Sequence, residues 1–450
     1  MRSGARETDL AQLAGRASRV SYGMDRGSPT IERPPTPRLA VRLFNGAHRL
    51  SRALGRKPPR FVESEESLLE AARRATRLDD FGDDAFRSHL RVLLRAYDEE
   101  AHLTPFGRMM VMQELSGILK SRLSVQQAWT QNPGILQAAI RRPIFILGLP
   151  RTGTTALHFL LGQDPNNQVL EYWLAAAPGP RPPTSEWEKD PRYTAAVRGL
   201  KMMYYLDPSL KAIHLMTADG PDECRHLFLQ SFLDDTFDSN ATIPSYTKWY
   251  AQQDMHPTYA RHRDILKLIQ AAPPQAPQPE RRWVLKYPAH MRNLRVLLDT
   301  YPDACIVQTH RDPARVLPSI CSLVAGWRGL YEGAVDRRAI GQWQLDMWSS
   351  MVHTAMTVRE ASNPAQFFDF SFQELVTDPI AAIKRMYGHF GFDFTAEADR
   401  RMQGWHTDNP QGKHGGHHYV AADFGLSEEE IGECFAPYMR HFRVAKESAA

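Results

Sequence analysis

Cysteine is scarce in this chain: four residues in 450 (Cys224, Cys305, Cys321 and Cys434), none of them in a C-x-x-C pair. Such spacing supplies neither a structural zinc site nor a disulfide framework, and a reducing cytoplasm is the expected setting. Long apolar runs are missing as well. No stretch approaches the roughly 20 apolar residues of a membrane span. The opening segment MRSGARETDLAQLAGRASRV has basic residues but no uninterrupted apolar core, so no secretory signal is expected. Neither charge sign dominates: a formal net charge of +4 is too small to point to nucleic acid, although it leaves room for local positive potential. No internal repeat is visible. What remains is an ordinary globular balance, 42% apolar and 24% charged, sufficient for a large core.

Against that background one stretch stands out, Arg142 to Gly162, RPIFILGLPRTGTTALHFLLG. An apolar run from Ile144 to Leu149 enters a Pro-Arg-Thr-Gly turn, and an apolar-periodic segment from Thr155 to Leu161 leaves it. Strand, tight loop and helix in succession point several backbone N–H groups at one bound anion. Gly148, Gly153 and Thr155 fall in register with the phosphate loop G-x-x-x-x-G-K-[ST]. Thr154, however, stands where that loop carries its lysine, and the cation has moved to Arg151. Such a loop is suited to holding phosphate but is the wrong one for hydrolysing ATP.

The variant resembles the loop that cradles the 5′-phosphosulfate of 3′-phosphoadenosine 5′-phosphosulfate (PAPS) in sulfotransferases. The pattern there is [KR]-[ST]-G-T-[TS], matched by Arg151, Thr152, Gly153, Thr154 and Thr155. Two more polar clusters lie in WVLKYPAHMRNLRVLLDTYPDACIVQTHRDP, Trp283 to Pro313. It reads as strand, charged turn, amphipathic helix, strand and then His-Arg-Asp-Pro. Lys286 and Arg311 thus fall at the carboxyl ends of two strands, where open α/β sheets place their ligands. Arg311 and Ser319 have the spacing of the pair that, in sulfotransferases, binds the donor's 3′-phosphate. Lys286 and His290 form a K-x-P-x-H motif that looks like the bacterial branch of the family. The segments ATRLDDFGDDAF, GPDE (220–223) and NPQGKHGGHHYVAADFGLSEEEI extend the likeness over residues 64–440.

The resemblance implies an enzyme that moves the sulfuryl group of PAPS in line to a hydroxyl or amine of a small apolar or glycosidic acceptor, with no metal. It implies Lys286 at the bridging oxygen and His290 as the base, with Glu223 as the rival base. Lys413, His414 and Gly415 are implied as a loop over the 3′-phosphate, and Phe372 as the ring near the adenine. His414, His417 and His418 also invite a metal, but no fourth ligand stands at a fixed spacing. Two alternatives stay open at this point: a P-loop kinase or NTPase, which lacks its lysine here, and a non-catalytic nucleotide-binding module.

The expected fold class is α/β: a P-loop-like parallel sheet flanked by helices, with an N-terminal helical extension and a helical insertion. A flexible polar segment (1–36) precedes the helical extension (37–140). The α/β domain (141–450) contains the acceptor-side insertion (171–270). Strands are expected at Ile144–Leu149, Trp283–Leu285, Ala304–Gln308 and Gln366–Phe370, and helices at 85–103 and 105–123. A further helix is capped by Asp378, opened by Pro379 and ended by Gly391. Residues 37–55 read as a basic amphipathic helix interrupted at Asn45-Gly46. A weak peripheral membrane contact is one reading of it; a helix packed on its own protein with a solvated basic face is favoured. The insertion's aromatics, among them Tyr172, Trp173, Phe228 and Tyr246, either line the acceptor pocket or build core, and core is favoured. No nucleic-acid partner is expected, and the sequence does not fix the oligomeric state.

Overall fold

A computed structural model of the protein describes residues 31–32, 39–53, 55, 58–206, 216–271, 281–410 and 420–447. The chain runs through α1 (Leu39–Ala53), α2 (Glu65–Thr76), α3 (Ala85–Glu99) and α4 (Pro105–Gln131) before β1 (Ile144–Gly148), α5 (Thr154–Leu161) and β2 (Asn167–Val169). A helical stretch containing α6 (Pro191–Leu206) and α7 (His256–Gln270) leads to β3 (Arg282–Lys286). There follow α8 (Leu294–Thr300), β4 (Cys305–His310), α9 (Pro313–Glu332), α10 (Arg337–Glu360), β5 (Phe367–Ser371), α11 (Phe372–Thr377), α12 (Pro379–Phe390) and α13 (Ala396–Asp408). The five strands pair in the order β2-β3-β1-β4-β5, every pair parallel. A two-residue ribbon, Ile31–Glu32 against Val335–Asp336, stands apart from this sheet.

All five residues of β1 are buried, as a strand covered on both faces must be. Side chains alternate across the sheet. Ile144, Ile146, Val284 and Val307 turn to one side and meet Leu157, Leu161, Ile383, Met386 and Met402. Phe145, Leu147, Leu285 and Ile306 turn to the other, where one continuous core also takes in Leu90, Leu94, Leu115 and Leu119 of α3 and α4. The N-terminal helices are therefore fused to the sheet's own core. Arg122 on α4 fastens them further. Fully buried, it donates to the carbonyls of Phe81, Asp83 and Gln230 and pairs with the Asp83 carboxylate at 2.8 Å.

The four main strands fall within two residues of their expected bounds, and α12 has the Asp378 cap, Pro379 and the left-handed Gly391 in place. Four elements differ: the helix expected at 85–103 (α3) already ends at Glu99, and three others depart from expectation. The short edge strand β2 is too polar (Asn167-Gln168-Val169) to stand out from a loop. α4 continues past residue 123 to Gln131, because Leu123 and Val125 still find core to bury. α1 runs unbroken through Asn45-Gly46: the Asn45 side chain accepts the Phe106 N–H at 2.9 Å, and Gly46 lies in open space. Among the described residues no helix is long and apolar enough to cross a membrane.

Removing this guanidinium strands the buried Phe81 and Gln230 carbonyls that it satisfies, at a cost of about 1–3 kcal/mol each, while water takes up the exposed Asp83 carboxylate. Arg122→Ala is therefore expected to lower the thermal unfolding midpoint by several degrees. Arg91→Ala, which breaks only an exposed pair with Glu65, is expected to leave it in place. Circular dichroism melts of the two variants check this.

Candidate active site

Parallel register brings the polar clusters to one edge of the sheet. Ile146 lies opposite Lys286, Gly148 opposite Thr309, and His310 opposite Ser371. The chain leaves β1 through Gly148 at a φ of 133°, where an added Cβ would stand 2.5 Å from the Thr309 hydroxyl. Arg151 (φ 69°) and Gly153 (φ 91°) are left-handed and turn the chain into α5. No side chain caps the α5 N-terminus, so its first N–H groups remain for an anion. Arg151, Gly153, Thr154 and Thr155 line a cavity of about 1050 Å3. Thr152 does not. Its hydroxyl is buried, donating to the Leu149 carbonyl at 2.6 Å and paired with the Thr309 hydroxyl at 2.5 Å, which ties the loop to β4.

Lys286 ends β3 almost fully buried, and its Nζ donates to Glu223 Oε1 at 2.5 Å. Both residues line the cavity. A backbone bond from the Cys224 N–H to the Lys286 carbonyl holds the GPDE segment against the strand. Beside the pair, Asp222 lies 3.1 Å from His226 Nε2. Burial alone would raise its carboxyl, but His226 and Arg225 outweigh that and hold it well below the usual range. Arg225 lines the same wall; although burial opposes its charge, Asp222 and Glu223 keep it firmly protonated.

His290 is not on this wall. Pro288 opens a tight 3-10 turn (Pro288–Met291) that swings the imidazole into the core. There it is fully buried, with Nδ1 at 2.7 Å from the Tyr259 hydroxyl and Phe145 edge-on at 5.2 Å. Burial, with His262 nearby, depresses its pKa well below the ordinary value. Of the two candidate bases, Glu223 lines the cavity and His290 lies outside its lining.

Arg311 follows β4 and reaches the cavity rim. Its Nε and Nη2 donate to the two carboxylate oxygens of Glu447 at 2.8 and 2.9 Å, and its Nη1 to the Arg151 carbonyl at 3.2 Å. The guanidinium lies 3.8 Å from the centroid of Phe372, so the ring expected beside an adenine stacks on a cation here. Ser319 sits two turns along α9, buried and outside the cavity lining. Lys413, His414 and Gly415 lie outside the described residues, as do His417 and His418. Elsewhere among the described residues, no three His, Cys, Asp or Glu side chains group as a metal site.

Much of the remainder of the cavity is apolar, interspersed with polar side chains such as Glu114, Asn240 and Gln344. Met109 and Met110 of α4, Leu323 and Trp327 of α9, and Met347 and Met351 of α10 form much of its wall. Of the insertion's aromatics, Tyr172 reaches it, while Trp173, Phe228 and Tyr246 are core. Sequence reading located the charged end of the site but missed this apolar end, because helix-spaced Met and Trp look the same whether they face a core or a cavity. It also missed Glu447, Arg225 and Glu114. The last was discernible as a lone acid in the otherwise uncharged run MMVMQEL.

A parallel sheet with an anion loop after its central strand, a buried lysine–carboxylate pair and an apolar pocket defines a group-transfer enzyme of the P-loop-like α/β class. The family can be named. Residues 143–396 match the profile described as "Sulfotransferase family", and the chain belongs to it. Sulfotransferase STF1 of Mycobacterium tuberculosis H37Rv is 38% identical, over 83% of this chain and 98% of that one, with a TM-score of 0.73. Sulfotransferase STF9 of Mycobacterium avium is 28% identical, over 85% and 98%, with a TM-score of 0.78. A curated relative, the omega-hydroxy-beta-dihydromenaquinone-9 sulfotransferase Stf3 of Mycobacterium bovis, is 26% identical over 306 residues, 66% of this chain and 74% of its own. Family membership sets the kinase alternative aside.

Glu114 gives the site a pH signature. Desolvation in the cavity wall, partly offset by Arg225 and Asn240, pushes its carboxyl from the ordinary 4.5 to about 7. Between these values the folded protein holds a proton that the unfolded chain has released. The resulting stability is full below the unfolded pKa and is lost as pH rises through the folded one. Glu114→Gln is expected to flatten this decline and to gain on the wild type above neutral pH. Asp234 and Asp238, raised to about 7 and about 6, keep a residual slope of the same sign. Unfolding midpoints across that pH range test the expectation.

Proposed function

We propose that this sulfotransferase takes its sulfuryl group from PAPS and passes it in line to the hydroxyl of an apolar acceptor lying in the cavity. The observation that carries the reading is the Lys286–Glu223 pair at 2.5 Å, exposed to one cavity that has an anion loop at one end and an apolar wall at the other. A relative whose name gives it an omega-hydroxylated dihydromenaquinone as acceptor supports the apolar assignment.

The donor fits the residues present. The uncapped N–H groups of α5 suit a 5′-phosphosulfate, and Arg311 already holds an anion, the Glu447 carboxylate, in the bidentate manner in which it would hold a phosphate. When bound, the donor supplies the sulfuryl group through its phosphosulfate bond. Glu223 accepts the proton of the acceptor hydroxyl as that oxygen attacks sulfur. Lys286, released from its carboxylate partner, turns its charge to the bridging oxygen, which keeps the electron pair of the broken S–O bond. Positioning and charge stabilisation then account for most of the rate, as in phosphoryl transfer. The apolar wall keeps water away from the reacting oxygen.

On this reading Glu447 competes with the 3′-phosphate for Arg311. The tail is well anchored: the Glu447 N–H donates to Asp312 at 2.8 Å, and its carbonyl accepts from Arg315. Calorimetric titration without magnesium tests the donor site. 3′-Phosphoadenosine 5′-phosphate is expected to bind where ATP does not. Arg311→Ala is expected to weaken it at least tenfold, in the range of a lost charged hydrogen bond, whereas Glu447→Gln tightens it. Equal binding of ATP, or indifference to Arg311, would overturn the assignment.

Turnover separates the two bases. With labelled PAPS and a set of fatty and isoprenoid alcohols, Glu223→Gln is expected to lower kcat by about 10²-fold or more, the usual weight of a general base. His290→Gln is expected to lower the unfolding midpoint while keeping kcat of the folded protein within about tenfold. The reverse order would return the base to His290.

A further inference from the structure

Among the described side chains of α1, those that meet the rest of the protein lie on one face. Val41 is buried, Phe44 meets Phe106 edge-on at 6.2 Å, and Asn45 accepts the Phe106 N–H. At 100° per residue, Leu43, Ala47 and Leu50 fall within an arc of about 60° on the opposite side. All three are exposed, Leu43 by 64% and Leu50 by 65%. Arg42, also exposed, flanks them. The favoured expectation of a solvated basic face is thus only half met, because leucines occupy the middle of the outward face.

Charge tells what covers them. The stretch PRLAVRLFNGAHRLSRALGRKPPR, residues 37–60, has six arginines, a lysine and no acidic residue. An apolar stripe with arginine positions along one side (Arg42 and Arg49) suits a helix lying in the headgroup region of an anionic bilayer. A second copy of the chain answers it poorly, since a two-fold interface would set the arginine-rich segments against each other. At 15 residues and about 1.5 Å of rise each, α1 is too short to span a bilayer and is suited to lying on one.

The place of the helix adds a second observation. Phe106, its seat, lines the cavity. So does Met202 of α6, which is 57% exposed and followed one turn on by Tyr205, 58% exposed. Exposed apolar side chains therefore recur on elements that touch or form the cavity wall. We propose that the Leu43–Leu50 face of α1 docks on an anionic lipid surface, setting the cavity wall beside the bilayer from which the acceptor alcohol is drawn. The docking is read from α1 itself; only the acceptor's origin rests on the function proposed above.

Cosedimentation with phosphatidylcholine vesicles, with and without phosphatidylglycerol, tests the docking. Wild type is expected to pellet with the anionic vesicles, less so at high salt. The double variant Leu43→Glu, Leu50→Glu is expected to lose at least tenfold in vesicle affinity, and Arg42→Ala about fivefold. Both are expected to keep the wild-type melting temperature and the affinity for 3′-phosphoadenosine 5′-phosphate. Failure of wild type to pellet, or equal pelleting of the double variant, would overturn the proposal. A dimer in sedimentation velocity that the double variant abolishes would likewise overturn it and assign the face to self-association. Vesicle binding without binding of the bisphosphate would leave the docking standing and remove the donor reading instead.

Discussion

Parallel pairing of β1 between β3 and β4 is the constraint from which the site follows. A strand hydrogen-bonded on both sides and covered on both faces has only its ends exposed, and parallel register puts the carboxyl ends of its neighbours at the same edge. The loop after β1, Lys286 at the end of β3 and Arg311 after β4 thereby converge without any one segment carrying them all. The close approach of β1 and β4 adds a local demand: Gly148 leaves no room for a Cβ beside Thr309, and the Thr152–Thr309 hydroxyl pair locks the loop to the neighbouring strand. The loop between β1 and α5 is thereby tied to the sheet at Gly148 and again at Thr152.

Charge in this site is buried in pairs. Lys286 sits with Glu223, and Arg225 lies within reach of the Asp222 and Glu223 carboxylates. Each ion taken from water carries a desolvation cost that pairing only partly offsets. Such an arrangement is weak as a stabiliser and better understood as preorganisation. Lys286 and Glu223 hold each other ready, and a change of partner at either one frees the other. Glu447 does the same for Arg311 at the rim, where a carboxylate on the chain's own tail occupies the guanidinium.

Much of this was legible in the sequence wherever function demands a particular residue at a fixed spacing. Arg151 to Thr155, Lys286 and Arg311 belong to motifs whose backbone geometry follows from strand–turn–helix chemistry, and four of the five strands announced themselves as apolar runs. What escaped was set by packing. His290 obeys the motif in sequence, yet the turn opened by Pro288 buries it outside the cavity lining. Glu447 meets Arg311 across 136 positions of chain, a distance at which no local pattern speaks. The apolar cavity draws on α4, α9 and α10, whose inward residues have the same helical period that a filled core would produce. For α1 the sequence yielded the amphipathic period and the basic charge, while which face was already taken became clear only from Phe44 against Phe106.

On the function proposed above, the division of the cavity into a charged end and a more apolar end bears on how transfer to an alcohol would compete with loss of the sulfuryl group to water. A phosphosulfate is activated, and water is the commonest hydroxyl available to it. The protein cannot reject water by size, since any space that admits an alcohol oxygen admits water. It can reject water by leaving it without partners. Where Met109, Met110, Leu323, Trp327, Met347 and Met351 form the wall, a water would give up hydrogen bonds that the wall does not replace. An alcohol on an apolar body loses less, because burial of that body offsets the desolvation of its one hydroxyl at about 25 cal/mol per Å2. The same apolar surroundings lower the local dielectric and strengthen the pull of Lys286 on a developing negative charge. On that reading, selection of the acceptor and acceleration of the transfer would draw on one feature, the apolar stretch of wall that faces the Lys286–Glu223 pair across the cavity.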